Sequence, residues 1–158
     1  MAQADYFLKI DDVDGESIVA GHEKWIELSS WSWGETNVVS SDPAGGSTGK
    51  VSVQDFSFTL HRSAASPLLF LACATGQHYD KAQLECRKAG SAAQKQEVYL
   101  NITLSDVLVS SYGLSGHEPG AIVRDELSLN FTKIEWTFTA KNGNPIKAGY
   151  DVKANKKV

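Results

Sequence analysis

The stretch "ELSLNFTKIEWTF", residues 126–138, changes the parity of its apolar positions in the middle. Apolar side chains stand at odd positions in the first half and at even positions in the second: Leu127, Leu129, Phe131, Ile134, Trp136 and Phe138. Because side chains along a strand alternate between the two faces of a sheet, each half of this strand buries a different face. The chain must therefore form a sheet that bends or packs on both sides.

Three further segments show the same change of parity, at about residues 29–30, 54–55 and 105–106. A single β-bulge re-aims one strand, but four changes exceed what a simple sandwich needs. Either bulges curl the sheet around one continuous core, or half of each strand packs against a neighbouring subunit. The periodicity leaves both interpretations open for four aromatic residues: Trp31, Trp33, Trp136 and Phe138.

Strand-like alternation dominates the chain, with about seven strands and recurrent turn signals, as in an all-β sandwich or barrel. One helix is predicted at about residues 66–76, "SPLLFLACATG", with Ser66 as N-cap, Pro67 at the first helical position and Gly76 at the stop. This helix has almost no polar face, so it must be covered on nearly all sides. The fold is predicted to be mainly β.

The longest predicted loop spans about residues 36–50, within "ETNVVSSDPAGGSTGK", which is rich in Ser, Gly and Thr. Long loops in compact domains are usually functional or disordered. Residues 110–120, "SSYGLSGHEPG", are predicted as another loop, and residues 146–158 as a final strand followed by a basic tail.

The composition excludes several functions. The net charge of −4 argues against a nucleic-acid groove, which usually carries a basic excess. No run approaches the ~18 apolar residues of a membrane span, and the start "MAQADYFLKIDD" is strand-like and unlike a secretory signal. Cys73 and Cys86 stand among apolar neighbours and are predicted as buried, reduced thiols, with a disulfide as the alternative. The pattern indicates a protein made in the cytoplasm.

No motif indicates an enzyme, a metal site or a cofactor site. "AGGSTGK", residues 44–50, resembles a phosphate-binding loop, but Val51 replaces the required Ser or Thr and a strand follows. "DDVDGESI" places Ile10 where a calcium loop needs its first carboxylate. Ser115 and His117 lack the strand-to-helix context of a hydrolase nucleophile. No histidine has a partner at a metal-ligand spacing: His22, His61, His78 and His117.

Seven blocks occur in order along almost the whole chain: "YFLKIDDVDGES", "LSSWSWG", "GKVSVQDFSFT", "ASPLLFLACATGQHY", "LECRKAG", "DVLVSSYG" and "LSLNFTKIEW". In this order they resemble the Hcp family, the haemolysin-coregulated proteins of bacterial type VI secretion systems. The stretch "LHRSAASP" departs from the family pattern, so no contact is assigned to His61 or Arg62.

The resemblance implies one domain, residues 1–158, without a C-terminal toxin extension. Its fold would be a small antiparallel β-barrel of two packed sheets with one flanking helix. Family members form hexameric rings that stack into a hollow tube, which a contractile sheath propels together with a spike protein. Small effector proteins travel in the lumen, and the protein passes from the bacterial cytoplasm to the outside without a cleavable signal. This role is structural and non-enzymatic.

The resemblance also implies roles for individual residues. The loop at about 36–50 would reach onto a neighbouring subunit, and Ser32 would face the lumen and its cargo. The inter-subunit loop candidates are Val38, Val39, Ser40, Asp42, Pro43, Gly45, Gly46 and Lys50.

Three other functions remain as alternatives. A stand-alone β-sandwich binding module would be a monomer with Trp25 or Trp31 exposed in a groove. A hydrolase would lose activity on mutation of Ser115 or His117. A phage-like tail-tube protein would share the architecture and differ in gene neighbourhood.

Overall fold

A computed structural model describes residues 5–38, 50–61, 63–88 and 97–158. Within these ranges the chain forms one helix, α1 (Ser66–Thr75), and twelve strands. The strands are β1 (Asp5–Ile10), β2 (Ile26–Leu28), β3 (Ser30–Ser32), β4 (Glu35–Val38), β5 (Lys50–Val53), β6 (Phe56–His61), β7 (His78–Arg87), β8 (Val98–Ser115), β9 (Arg124–Asn130), β10 (Lys133–Thr139), β11 (Pro145–Asp151) and β12 (Lys156–Lys157). The predicted mainly β class is confirmed.

Ten strands belong to one sheet, while β4 and β5 form a separate hairpin. The hydrogen-bonded order is β12–β11–β10–β8–β7–β1–β2, and a second branch runs from β8 through β9 and β6 to β3. Only Ser29 separates β2 from β3, so the sheet bends until its two branches meet at this residue. Closing a barrel requires continuous pairing around the ring. The described strands lack that closure, so the predicted barrel is an open, strongly bent sheet.

The long strand β8 connects the two branches. Its first half pairs with β7 along one edge and with β10 along the other. Its second half pairs with β9, and Leu108 is opposite both His78 of β7 and Asn130 of β9. Strands β9 and β10 therefore follow one edge of β8 in succession, and the three strands form a long ribbon, called here the β8–β10 ribbon.

The ribbon explains the change of parity in residues 126–138. Between β9 and β10, Phe131 and Thr132 interrupt the regular strand. The Thr132 amide donates to the Ser105 carbonyl at 3.0 Å. The other predicted changes coincide with Ser29, with the break at residues 54–55, and with Asp106, whose φ is +51°. Each change of parity is thus a local interruption of a strand: three lie where the chain passes between the two branches or along β8, and the one at residues 54–55 separates the β4–β5 hairpin from β6.

The core lies inside the bend, between the two branches and α1. Its largest fully buried side chains include Phe56, Phe58, Leu8, Ile10, Ile26, Leu60, Leu69, Leu84, Leu129, Val107 and Val109. Helix α1 contributes only two fully buried residues, Leu69 and Ala72.

Helix α1 confirms its predicted position but corrects two details. Ala65 is the N-cap, so the prediction for Ser66 is wrong; the Ser66 hydroxyl instead donates to the Asp125 carboxylate from the first turn. Gly76 ends the helix with φ +70°, a conformation that favours glycine. The predicted covering is incomplete, because three side chains are about half exposed: Leu68, Phe70 and Leu71.

Two predicted loops are partly strand. Residues 110–115 continue β8, because β9 supplies their pairing partner. Residues 36–38 and 50 belong to β4 and β5, which pair from Glu35–Val53 to Val38–Lys50. The predicted final strand near residues 146–158 is present as β11 and β12.

The segment between β1 and β2 folds over the outer face of the sheet. It covers Phe7, with the His22 ring stacked on the phenyl ring at 4.4 Å between centroids. His22 Nε2 lies 2.5 Å from Glu85 Oε2, which ties the segment to β7. Gly15 is needed here, because a Cβ at this position would lie 2.6 Å from the Trp25 carbonyl carbon and 2.7 Å from the Ile26 Cα.

Gly15→Ala is expected to lower the free energy of unfolding by about 2 kcal/mol, since the added methyl overpacks a backbone that cannot yield. Gly116→Ala is the control, because the nearest atom to its added Cβ is 4.0 Å away. Urea midpoints at equal protein concentration measure both effects, and equal midpoints for the two variants would contradict the steric argument.

Cys73 and Cys86 form no disulfide with each other in the structure. Cys86 is fully buried, whereas Cys73 is partly exposed and corrects the prediction that both are buried. Burial raises the pKa of the Cys86 thiol to about 11. Because only the thiolate reacts, Cys86 is chemically protected at neutral pH.

A Cys73→Ser variant leaves Cys86 as the one remaining thiol of the chain. At pH 8 the native variant is expected to resist a thiol-specific reagent, with a thiolate fraction of about one thousandth. After unfolding, one thiol per chain should react within minutes. Rapid labelling of the native variant at pH 8 would be inconsistent with the buried position.

Candidate functional site

Hydroxyl side chains cover one face of the second branch of the sheet. Opposed residues in antiparallel strands point to the same face, so the register aligns them in rows. One row contains Ser32, Ser57, Ser128 and Ser111, and the neighbouring row contains Ser30, Thr59, Glu126 and Gly113. We call this surface the hydroxyl face: Ser30, Ser32, Ser57, Thr59, Ser110, Ser111 and Ser128.

The sequence of each strand explains why the face is polar. In "FSFTLH" of β6, the burial alternates, with Phe56, Phe58 and Leu60 in the core and the intervening residues more exposed. The same alternation holds in β9, where Leu127 and Leu129 are buried. Because side chains alternate between the two faces of the sheet, β3, β6, β9 and β8 have one buried apolar face and one exposed hydroxyl face.

The hydroxyls form a hydrogen-bonded chain that ends at Asp55. Ser110 donates to Asp55 Oδ2 at 2.6 Å, and Asn130 Nδ2 donates to Asp55 Oδ1 at 3.0 Å. Ser128 Oγ lies 2.7 Å from Ser110 Oγ and 2.6 Å from Ser111 Oγ. A carboxylate only accepts and each hydroxyl has one proton, so the donors must run from Ser111 through Ser128 and Ser110 to Asp55.

The direction of these hydrogen bonds determines which polar groups the row of hydroxyls presents to a partner. All three protons point toward Asp55, so the exposed end at Ser111 presents free oxygen lone pairs. The carboxylate of Glu126 lies beside Ser111 in the cleft over the hydroxyl face. Arg124 Nη2 is 3.8 Å from Glu126 Oε1. The face therefore favours N–H donors and cationic groups over anions.

The predicted residue Ser32 is exposed and lies in this cleft, together with Gln54 and Asp55. Sequence reasoning selected one serine, and the structure places six further hydroxyls beside it. The serines of β6, β8 and β9 could have been found from the polar parity of those strands, but only once their register was known.

The four predicted aromatic residues divide into two pairs. Trp31 and Trp33 pack against the core, with Trp31 stacked on Phe56 at 5.8 Å and Trp33 beside Phe131 at 6.5 Å. Trp136 and Phe138 are exposed, at 41% and 42% of their surface. The first pair thus lies in the bulged core, while the second pair is available to a partner.

The predicted inter-subunit loop is only partly described. Val38 and Lys50 pair with each other at the end of the β4–β5 hairpin. The remaining candidates lie outside the described residues: Val39, Ser40, Asp42, Pro43, Gly45 and Gly46.

Two exposed apolar surfaces flank the ribbon. The first, called the tryptophan patch, consists of Trp136 and Phe138 on β10 with Ile146 and Ala148 on β11, paired directly across the strands. The second, called the helix patch, consists of Pro67, Phe70, Leu114 and Val123. Sequence reasoning missed Leu114, Val123 and Ile146, although an Ile-Val pair in a turn is itself an unusual signal.

Two arrangements bear on catalysis: the spacing of possible metal ligands and the Ser115–His117 pair. In these ranges no group of three His, Cys, Asp or Glu residues is placed to hold a metal ion. Ser115 Oγ and His117 Nε2 lie 3.5 Å apart at the end of β8, where a turn follows and not a helix. Nor does any described helix have the length and apolarity to cross a membrane.

Comparison with known proteins identifies the family. Residues 7–138 match the family model described as "Type VI secretion system effector, Hcp". The chain belongs to the Hcp family. Its relatives include the protein hcp1 of Pseudomonas aeruginosa, 39% identical over 158 residues and 96% of each chain.

Solved structures of type VI secretion proteins share the fold over nearly the whole chain. Hcp1 from Salmonella typhimurium is 37% identical, with a TM-score of 0.81 and full coverage of both chains. A type VI secretion system effector from Yersinia pestis is 30% identical, with a TM-score of 0.77 over 94% of this chain and all of that one. The Hcp family consists of secreted structural proteins and is not an enzyme family.

Asp55→Ala is expected to lower the free energy of unfolding by roughly 1 kcal/mol, because Ser110 and Asn130 lose a charged acceptor at a partly exposed position. Glu16→Ala is the matched control, since Glu16 is an exposed carboxylate outside the hydroxyl face. Thermal or urea unfolding measures the difference. If both variants match the unmodified protein, Asp55 does not stabilise the chain of hydroxyls.

Proposed function

We propose that this protein is the tube subunit of a type VI secretion system, assembling as hexameric rings that stack into a hollow tube. Membership of the Hcp family is the observation that carries the proposal. The surface of the single chain supports it, because two apolar patches remain exposed on a chain with an ample core of its own. A soluble monomer rarely leaves such patches uncovered.

The hydroxyl face is the surface proposed to line the lumen. Its rows are continuous over four strands and consist of Ser, Thr, Glu and Gly residues, as suits a water-filled channel. Ser32 and its neighbours would contact small effector proteins carried inside. The acceptors at Ser111 and Glu126 favour cargo that presents lysine, arginine or amide N–H groups.

The β4–β5 hairpin is proposed as the stem of the segment that docks on a neighbouring subunit. Its two strands pair over four residues, from Glu35–Val53 to Val38–Lys50. Docking by this segment would add a second contact between subunits. The predicted contact residues belong to this proposal: Val38, Val39, Ser40, Asp42, Pro43, Gly45, Gly46 and Lys50.

The remaining partners follow from the tube. A contractile sheath would surround it and a spike protein would close its tip, and the whole would leave the bacterial cytoplasm without a cleavable signal. The chain would act as one domain over residues 1–158, without catalysis of its own. The stand-alone binding module fits less well, because the Trp31 ring is partly buried and stacked on Phe56 of the core.

Native mass spectrometry of the purified protein tests the ring. The expected species has six times the 17.1 kDa mass of the chain. The same sample after unfolding in acid provides the monomer control. A folded monomer as the dominant species at micromolar concentration would overturn the preformed ring and favour a binding module.

A further inference from the structure

The two apolar patches lie at opposite ends of the β8–β10 ribbon. In the tryptophan patch, Trp136 and Phe138 are opposite Ile102 and Leu100, near the beginning of β8. In the helix patch, Leu114 is opposite Asp125, near the end of β8. Measured along β8 at about 3.3 Å per residue, the path between the patches is on the order of 40 Å. One copy cannot bring its own patches together, whereas two copies aligned head to tail can.

The helix patch is an apolar pocket that the described residues leave open. Phe70 and Leu114 are 57% and 61% exposed, and together with Pro67 and Val123 they surround a pocket of about 370 Å³. The apolar sequence of α1 requires covering on nearly all sides, and the described residues bury only Leu69 and Ala72. The described residues supply no further apolar cover for this pocket, and an apolar surface of a second copy would complete it.

The tryptophan patch has the composition of an interface anchor. Trp136, Phe138 and Ile146 are each at least two-fifths exposed, and they stand together because β10 and β11 pair in register. Large aromatic residues dominate the binding energy at protein interfaces. The patch offers the apolar surface that the helix patch lacks.

Charged residues in the turns beside the two patches favour one relative orientation of two copies. The turn after β10, residues 140–144, contains Lys141 and no acidic residue. The turn between β8 and β9, residues 116–123, contains Glu118 and no lysine or arginine. Joining unlike ends brings opposite charges together, whereas joining like ends would place Lys141 against Lys141 or Glu118 against Glu118. Head-to-tail contact is therefore favoured over a two-fold dimer.

We propose that the tryptophan patch of one copy docks on the helix patch of the next, with Lys141 beside Glu118 of the neighbouring copy. The interface joins two different surfaces, so it repeats from copy to copy until the rotation closes. This inference rests on the proposed ring and names the surfaces that close it. It assigns a function to the exposed face of α1.

Cross-linking tests the contact directly. The double variant Glu118→Cys with Lys141→Cys is prepared in the Cys73→Ser background, where Cys86 is buried. A short bis-maleimide is expected to produce a ladder of covalent oligomers on a denaturing gel, since the two positions are too far apart to react within one chain. Each single variant is the control and should remain monomeric, because like ends do not meet.

The outcomes separate this inference from the proposed ring. A hexamer by native mass spectrometry without a ladder overturns the patch pairing and leaves the ring intact. Cross-linking in a single variant overturns the head-to-tail orientation. Absence of both hexamer and ladder overturns the ring and the pairing together.

Charged substitutions give a second, independent test. Phe138→Glu and Phe70→Glu are each expected to raise the dissociation constant of the assembly at least tenfold, with an unchanged circular dichroism spectrum. Ile18→Glu is the matched control, because Ile18 is 92% exposed and lies outside both patches. Retention of the wild-type mass by both Phe variants at low protein concentration would overturn the proposal.

Discussion

The pairing of β8 with β9 and β10 along one edge is the interaction on which the rest of the molecule depends. It holds the two branches of the sheet together while allowing each to turn a different face toward the core. The step at Phe131 and Thr132 is what makes this possible, because it changes the parity of the strand without ending its pairing. The core, the hydroxyl face and the separation of the two apolar patches all follow from this ribbon.

A single carboxylate, that of Asp55, sets the direction of the hydrogen bonds across the hydroxyl face. Serine hydroxyls alone can donate or accept, and a row of them has no preferred orientation. Asp55 removes that freedom by accepting from Ser110 and Asn130, which orients the hydroxyls as far as Ser111. The row of Ser32, Ser57, Ser128 and Ser111 contains no charged side chain. Its exposed end nevertheless favours hydrogen-bond donors on a partner.

Local patterning predicted much of the fold, and the failures share a physical cause. The four changes of parity located real interruptions, and α1 begins and ends close to its predicted limits. Residues 110–115 were predicted as a loop because Ser, Gly and Tyr dominate them, but pairing with β9 overrides that composition. Ser32 was selected without its neighbours, because the hydroxyl face exists only when four distant strands align. The helix patch likewise combines residues of α1, β8 and a turn, which no sequence window contains.

The incomplete cover of α1 links the stability of the fold to the amount of protein present. If half-exposed side chains such as Leu68, Phe70 and Leu71 become buried only when copies associate, part of the folding free energy comes from association. Mass action then makes a concentrated sample melt at a higher temperature than a dilute one. A newly synthesised chain would be least stable before it meets others, so synthesis of many copies at once would itself protect the fold.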